Sequence, residues 1–159
     1  RNYYRLISGM DRSIGVILER LRAQGVADNT IIVFTGDNGY FLGEHGLADK
    51  WYAYEESLRV PLLILDPRLP AFRRGQRCNE WALNVDLAPT FCAWAGLKPP
   101  AAMQGRDLRP LIEGRKPSGW RQDFLYEFKW SGENIPSSEA VCGKEWKYIK
   151  HVFADHIRI

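Results

Sequence analysis

An aspartate and an asparagine stand side by side at Asp37 and Asn38, with His45 and Lys50 following in the same stretch. Asp37 and Asn38 offer a carboxylate and an amide oxygen, hard donors of the kind that suit Ca2+ or Mg2+. Lys50 lies thirteen residues beyond Asp37, among Trp51, Tyr52 and Tyr54. A lysine so placed can act as a compact charge on an anionic group. His45, within Gly43-Glu44-His45-Gly46, can donate to an anion or transfer a proton. Each piece also has a plainer reading. Asp-Asn-Gly is a turn sequence, and Asn-Gly favours hairpins. A loop lysine can be only a surface charge, and a loop histidine can simply bond to backbone. Glu55 and Glu56 suit structural pairing with Arg59.

The flanking segments decide where these groups are delivered. Thr30-Ile31-Ile32-Val33-Phe34 is apolar at successive positions, as is Val60 to Leu65. Such runs are expected to be central parallel strands covered on both faces. Pro61 is tolerated near the start of its strand. The linker between them is about 25 residues, long enough to favour a functional loop. It begins at a strand end, where binding sites of open α/β sheets form. Before the first strand, Tyr3, Leu6, Ile7, Met10, Ile14, Ile17, Leu18 and Leu21 follow helical three-four spacing. Gly15 would let that helix approach a sheet closely, and Gly25 marks its end. Asp28-Asn29 then turns the chain into the strand.

Beyond the second strand, residues 66–77 are turn-rich and polar. A helix runs through Trp94 to Gly96, with Pro89 in its first turn and Asp86 as the expected cap. Lys98-Pro99-Pro100 is a rigid spacer. Met103 to Leu108 opens a short helix that ends near Gly114. After Lys116 the pattern changes to strands over 124–128, 139–142 and 146–153, with turns at 131–134 and 143–145. The fold class is therefore α/β, with an α/β layer over residues 1–115 and a small antiparallel sheet over 116–159.

Composition narrows the alternatives. Of 159 residues, 45% are hydrophobic and 26% charged, an ordinary balance for a folded domain, and 13% are aromatic, which argues against disorder. A net charge of +3 does not call for a polyanion. The one basic cluster, Arg68, Arg73, Arg74 and Arg77, lacks stacking aromatics and reads as a solvated loop, so no nucleic-acid partner is expected. Cys78, Cys92 and Cys142 are too widely spaced for a zinc site or a disulfide framework, and buried free thiols are expected. No apolar run reaches transmembrane length. Oligomeric state is left open.

Taken in order, several segments resemble the sulfatase family of the alkaline-phosphatase superfamily. They are T-G-D-N-G-Y-F-L-G-E-H-G-L-A-D-K at 35–50, Y-E-E-S-L-R-V-P-L-L-I at 54–64, D-L-A-P-T-F at 86–91, A-G-L-K-P-P at 95–100 and M-Q-G-R-D-L at 103–108. E-W-K-Y-I at 145–149 extends the match, as does the opening helix with Met10-Asp11 and Gly15. The pieces are weak singly and specific as an ordered set.

The resemblance implies part of an alkaline-phosphatase-like α/β/α sandwich followed by a small antiparallel sheet. It implies that Asp37 and Asn38 ligate a divalent cation, usually Ca2+ with Mg2+ as the alternative, and that Lys50 contacts the sulfate. His45 joins the substrate-binding set with its duty left open. It also implies a formylglycine, made from Cys or Ser, that attacks sulfur as its gem-diol while the metal neutralises sulfate oxygens. The expected substrate is a sulfated small molecule or glycan, and the resemblance is compatible with a periplasmic or secreted protein.

The departures are informative. The formylglycine signature is Cys or Ser followed by x-Pro/Ala-x-Arg. None of Cys78, Cys92 and Cys142 begins one, and Ser138-Glu139-Ala140-Val141-Cys142 has the Ala without the Arg. The upstream acidic ligands, Lys and His residues of the family are absent too. Ca2+ takes six to eight oxygens, more than Asp37 and Asn38 supply. The chain therefore reads as the C-terminal portion of a sulfatase, inactive alone, with the nucleophile outside it. Two alternatives stand beside this. One is a phosphodiesterase or phosphonate monoester hydrolase of the same superfamily, many of which carry His where this chain has Asn38. The other is a non-catalytic anion- or carbohydrate-binding module using Trp51, Tyr52, Trp120 and Trp130 as stacking platforms.

Overall fold

The computed structural model describes residues 2–130 and 135–152. The chain divides into two compact units, Arg1–Phe34 with Leu63–Gln76, and Thr35–Leu62 with Arg77–Ile159.

The first unit opens with α1 (Asn2–Ala23), whose last turn carries Arg20 and Arg22 on the negative end of the helix dipole. It closes in a Schellman motif. Gly25 takes φ 68°, its N–H donates to Arg22 O at 3.0 Å, and Val26 N–H donates to Leu21 O at 3.1 Å. A 3-10 turn over Ala27–Asn29 leads into β1 (Ile32–Thr35), which neighbours β4 (Leu62–Leu65) in a two-stranded sheet. The basic loop after β4 is tied internally. Arg68 grips Asp66 through two nitrogens, at 2.8 and 2.6 Å, and Arg74 donates to the carbonyls of Leu69 and Pro67. Asp66 is buried, and the hydrogen bonds from Arg68 hold its carboxyl below the ordinary carboxylate value.

Two expectations fail in this unit. No residue of α1 is buried, and Leu6, Met10 and Ile17 stand exposed on the face expected to be core. A Cβ at Gly15 would meet nothing within 4 Å, so no close approach explains that glycine. The strands are also not covered on both faces, since Leu63 is 59% exposed. The reason is one of extent. A helix of 22 residues is about 33 Å long, whereas a four-residue strand spans about 13 Å. Two such strands cannot cover the stripe.

In the second unit the long linker is structured. It forms an antiparallel hairpin of β2 (Phe41–Leu42) and β3 (Ala48–Asp49), then a single helical turn α2 (Glu55–Leu58). Further along lie α3 (Leu87–Trp94) and α4 (Arg109–Ile112). An antiparallel sheet of β5 (Asp123–Phe128), β6 (Ser137–Gly143) and β7 (Lys147–Val152) closes the chain in the order β5-β6-β7. The register pairs Tyr126 with Ala140 and Ala140 with Ile149, so these side chains share one face. That face buries Ala140 and Cys142 with Ala53, and Leu58, Phe124, Tyr126 and Ile149 pack around them. A second cluster joins Leu108, Leu111 and Trp120 to Leu62, Leu87 and Ile112. The turn expected at 131–134 and the end of the strand at Phe153 lie outside the described residues.

Asp86 is the organising polar residue. It is fully buried and does not cap α3 with its side chain, contrary to expectation. Instead Oδ2 accepts from Leu83 N–H at 2.7 Å and from Arg121 Nη1, while Oδ1 accepts from Arg106 N–H and Arg121 Nη2, both at 2.7 Å. Four donors converge on one carboxylate, the pairing that makes a buried charge tolerable. Thr90 Oγ1 extends the network by donating to Asp86 O at 2.6 Å and accepting from Leu108 N–H at 2.9 Å. Gly105 lets the two segments meet, because a Cβ there would lie 1.9 Å from Val85 O. The three cysteines are free, but only Cys142 is buried, and Cys78 is exposed rather than buried as expected.

Candidate functional site

The chain leaves β1 at Thr35 and presents Asp37 and Asn38 to solvent. Asp37 Oδ1 accepts from Asn38 N–H at 2.9 Å, and Asn38 Nδ2 donates to Gly39 O at 2.8 Å. That use of the amide nitrogen leaves Asn38 Oδ1 as a bare acceptor. Asp37 Oδ2 likewise has no hydrogen-bond donor among the described residues. The turn is braced from outside. Asn84 Nδ2 donates to Asp37 O at 3.0 Å, and Gly39 N–H donates to Ser57 O at 2.7 Å. A Cβ on Gly39 would lie 2.0 Å from Glu56 O, so only glycine allows this approach to α2. Asp-Asn-Gly is thus not a free hairpin turn. Its backbone is clamped, and two of its three side-chain oxygens, Asp37 Oδ2 and Asn38 Oδ1, are left available.

Glu56 also holds His45. Nε2 of the histidine lies 3.2 Å from Glu56 Oε2, and the ring stacks on Tyr54 at 4.3 Å between centroids, with Phe41 edge-on to both. His45 takes φ 56°. Glu44 secures the preceding turn by accepting from Leu42 N–H, a bond that lowers its carboxyl's pKa. The pairing expected of Glu55 and Glu56 with Arg59 is not formed. Glu56 meets His45, and Glu55 accepts from Lys147 Nζ at 2.6 Å on β7. The spacing along one helical turn had pointed to Arg59, but tertiary contacts supply better-placed partners.

Lys50 is half-buried and its ammonium has no hydrogen bond or ion pair among the described residues. Its neighbours are held in the left-handed region, Asp49 at φ 72° and Trp51 at φ 84°. For non-glycine residues this conformation is costly and persists only where surroundings enforce it, as they commonly do at functional sites. The enforcing contact is visible at Trp51, whose carbonyl accepts from Tyr126 Oη at 2.9 Å. Burial raises the Tyr126 phenol above its ordinary pKa, which keeps it a neutral donor, and Cys142 adds to that rise.

α2 thus holds Gly39 and His45, Asn84 holds the Asp37 carbonyl, and no hydrogen bond joins Lys50 to Asp37, Asn38 or His45 among the described residues. Among the described residues no three His, Cys, Asp or Glu side chains converge as a metal site. Asp37 and Asn38 suit a hard divalent cation as two ligands of a larger shell, since they present unshared oxygens on a braced backbone. Asn84 and Tyr126 were not anticipated from sequence, and Glu56 was expected to pair with Arg59 rather than His45. Each acts across a gap in the chain that local pattern does not span.

The aromatic platforms separate. Trp120 is buried, with its indole N–H donating to Trp81 O at 2.9 Å, while Trp130 stacks on Phe128 and remains half-exposed. Ser138, the nearest approach to a nucleophile signature, is buried and bonded to His151 Nδ1 at 2.9 Å. A metal pair drawn from His151 and His156 would involve positions outside the described residues. No described helix is long and apolar enough to cross a membrane.

Residues 43–157 match the family model for the C-terminal region of N-sulphoglucosamine sulphohydrolase. An N-acetylglucosamine-6-O-sulfatase of Bacteroides thetaiotaomicron is 42% identical over 130 residues, covering 80% of this chain and 23% of that protein. Human N-acetylglucosamine-6-sulfatase is 33% identical over 157 residues, covering 98% of this chain and 28% of that protein. A solved structure in complex with its substrate D-glucosamine-2-N,6-O-disulfate superposes with TM-score 0.85 at 36% identity, covering 95% of this chain and 31% of that one. The phosphonate monoester hydrolase of Agrobacterium radiobacter superposes with TM-score 0.85 at 28% identity, covering 94% of this chain and 32% of that one.

The mixed α/β fold, with its small antiparallel sheets, is that of the alkaline-phosphatase superfamily. Within it, the chain belongs to the sulfatase family and corresponds to its C-terminal region. It spans about a quarter of the length of these two curated relatives, at 23% and 28%.

Proposed function

We propose that this chain is the C-terminal part of a sulfatase that hydrolyses a sulfate ester on a sugar, with a 6-O-sulfated glucosamine unit as the first substrate to try. The reading is carried by the Asp37–Asn38 turn, whose backbone is clamped by Asn84 and α2 while one oxygen of each side chain stays unshared. In it, Asp37 and Asn38 would hold a divalent cation, Ca2+ before Mg2+. Lys50 would supply positive charge to the sulfate, and His45, steadied by Glu56, a second donor. The cation, when bound, offsets negative charge on sulfate oxygens. The formylglycine nucleophile and the remaining ligands would lie outside this chain, so the isolated chain should show no turnover of an activated aryl sulfate.

The same reading assigns residues 1–115 to the α/β catalytic domain and 116–159 to a C-terminal sheet subdomain. The uncovered apolar stripe of α1 supports this, because an α/β/α sandwich would supply further strands to cover it.

Calorimetric Ca2+ titration of the full-length protein tests the cation assignment. Asp37→Ala should cripple binding, and Asn38→Ala should weaken it less, since a carboxylate brings charge as well as an oxygen. Equal affinity in wild type and both variants would return Asp-Asn-Gly to a purely structural turn.

Phosphonate or phosphodiester hydrolysis is the second reading, favoured by the superposition on the Agrobacterium radiobacter enzyme. Parallel assays on a sulfate monoester and a phosphonate monoester separate the two.

A further inference from the structure

The C-terminal sheet meets the candidate site along one short segment. Its inner face buries Ala53 against Ala140 and Cys142, and Lys147 of β7 pairs with Glu55. Tyr126 of β5 donates to Trp51 O. The segment from Trp51 to Glu55 is therefore clasped at its start, middle and end by a single sheet. Lys50 is the residue just before the clasp, between two left-handed residues, with no ion pair among the described residues to hold its side chain. A backbone at φ 84° on a tryptophan reverts to an extended or helical conformation unless something opposes it. The Tyr126 hydroxyl bonds the carbonyl of that very residue. It thereby fixes the peptide plane that follows Trp51 and, through the Trp51 dihedrals, the direction in which Lys50 leaves the chain.

We propose that Tyr126 is a positioning residue, setting the Lys50 ammonium for an anionic substrate through its hydrogen bond to the Trp51 carbonyl. This rests on the reading of Lys50 as an anion contact. It goes further in giving the C-terminal sheet a part in turnover rather than in folding alone. Tyr126 touches no substrate atom in this account. Its phenyl ring packs in the core and only its hydroxyl does the positioning, so Tyr126→Phe removes the one and keeps the other.

The test is a double-mutant cycle in the full-length protein, with kcat/KM on a sulfate ester as readout and inorganic sulfate as a competing anion. Tyr126→Phe should lower kcat/KM by about five- to tenfold and raise the inhibition constant of sulfate. In a Lys50→Ala background the same substitution should change kcat/KM by less than about twofold, because what it positions is gone. A purely structural tyrosine would lower the melting temperature and act equally in both backgrounds. The inference is overturned if Tyr126→Phe leaves kcat/KM at the wild-type value, or if its effect persists undiminished beside Lys50→Ala. If Lys50→Ala itself matches wild type, the assignment of Lys50 has failed first, and the single-mutant arms show which of the two gave way.

Discussion

Asp86→Asn removes one charge and one oxygen from a buried carboxylate that receives four hydrogen bonds. Each oxygen takes one backbone N–H and one guanidinium N–H, Leu83 with Arg121 on Oδ2 and Arg106 with Arg121 on Oδ1. An asparagine can satisfy only one of these two pairs. Whichever way its amide turns, the NH2 end faces two donors, so a flip rescues nothing. Two bonds are lost, one of them from a backbone N–H, and Arg121, whose side chain is only 10% exposed, keeps its charge without a counter-ion. Breaking a buried pair from one side costs about 3–5 kcal/mol. Hydrogen–deuterium exchange of the native full-length protein reads this locally, without requiring two-state unfolding. The amides of Leu83 and Arg106 donate to Asp86 itself, and that of Leu108 is protected through Thr90. Peptides covering 83–90 and 103–108 should lose protection by about two to three and a half orders of magnitude, since 1.4 kcal/mol is a factor of ten. Peptides from β5–β7 beyond Arg121 should change far less. Protection within a few-fold of wild type in both peptides would refute the account of Asp86 as the hub of this unit.

Gly39→Ala should fail at the Asp37–Asn38 turn, because its Cβ would sit 2.0 Å from Glu56 O and break the bond to Ser57. The expected cost is at the upper end of about 1–3 kcal/mol, accompanied by weaker Ca2+ binding in calorimetry, and unchanged binding would mean the turn needs no clamp. The Asp66 carboxyl has a folded pKa below its unfolded value near 4, chiefly through Arg68, so its contribution to stability is complete above about pH 4 and is lost as pH falls through the folded value. Thermal unfolding of wild type and Asp66→Asn should differ most near neutral pH and converge in strong acid, whereas a gap independent of pH would assign the effect to something other than this ion pair. Lys50→Ala should lower kcat/KM of the full-length protein by about ten- to a hundredfold, more than His45→Ala does, and Lys50→Arg should restore it only in part. If His45→Ala collapses while Lys50→Ala matches wild type, the anion-binding role passes to the histidine.

Period and chain punctuation determined much of this protein without its coordinates. The three-four spacing from Tyr3 to Leu21 placed α1, and Gly25 ended it, because helix geometry and the left-handed C-terminal turn are local properties. The short strands after Lys116 followed from strand-forming runs set between turn residues, and the ordered motifs from Thr35 to Leu108 disclosed the family. What a side chain does once the chain is folded was not local, and there the tertiary structure decided. Asp86 sits where a helix cap belongs, yet its carboxylate turns to Arg106 and Arg121, twenty and thirty-five residues away. Glu56 is four-residue spacing away from no histidine, yet it closes on His45 because the β2–β3 hairpin returns the loop to α2. The left-handed turns around Lys50 carry no glycine to announce them, and only the clasp by β5–β7 explains why Trp51 holds one. The apolar stripe of α1 marks the opposite limit, since hydrophobic spacing says which face seeks cover and not whether this length of chain can supply it.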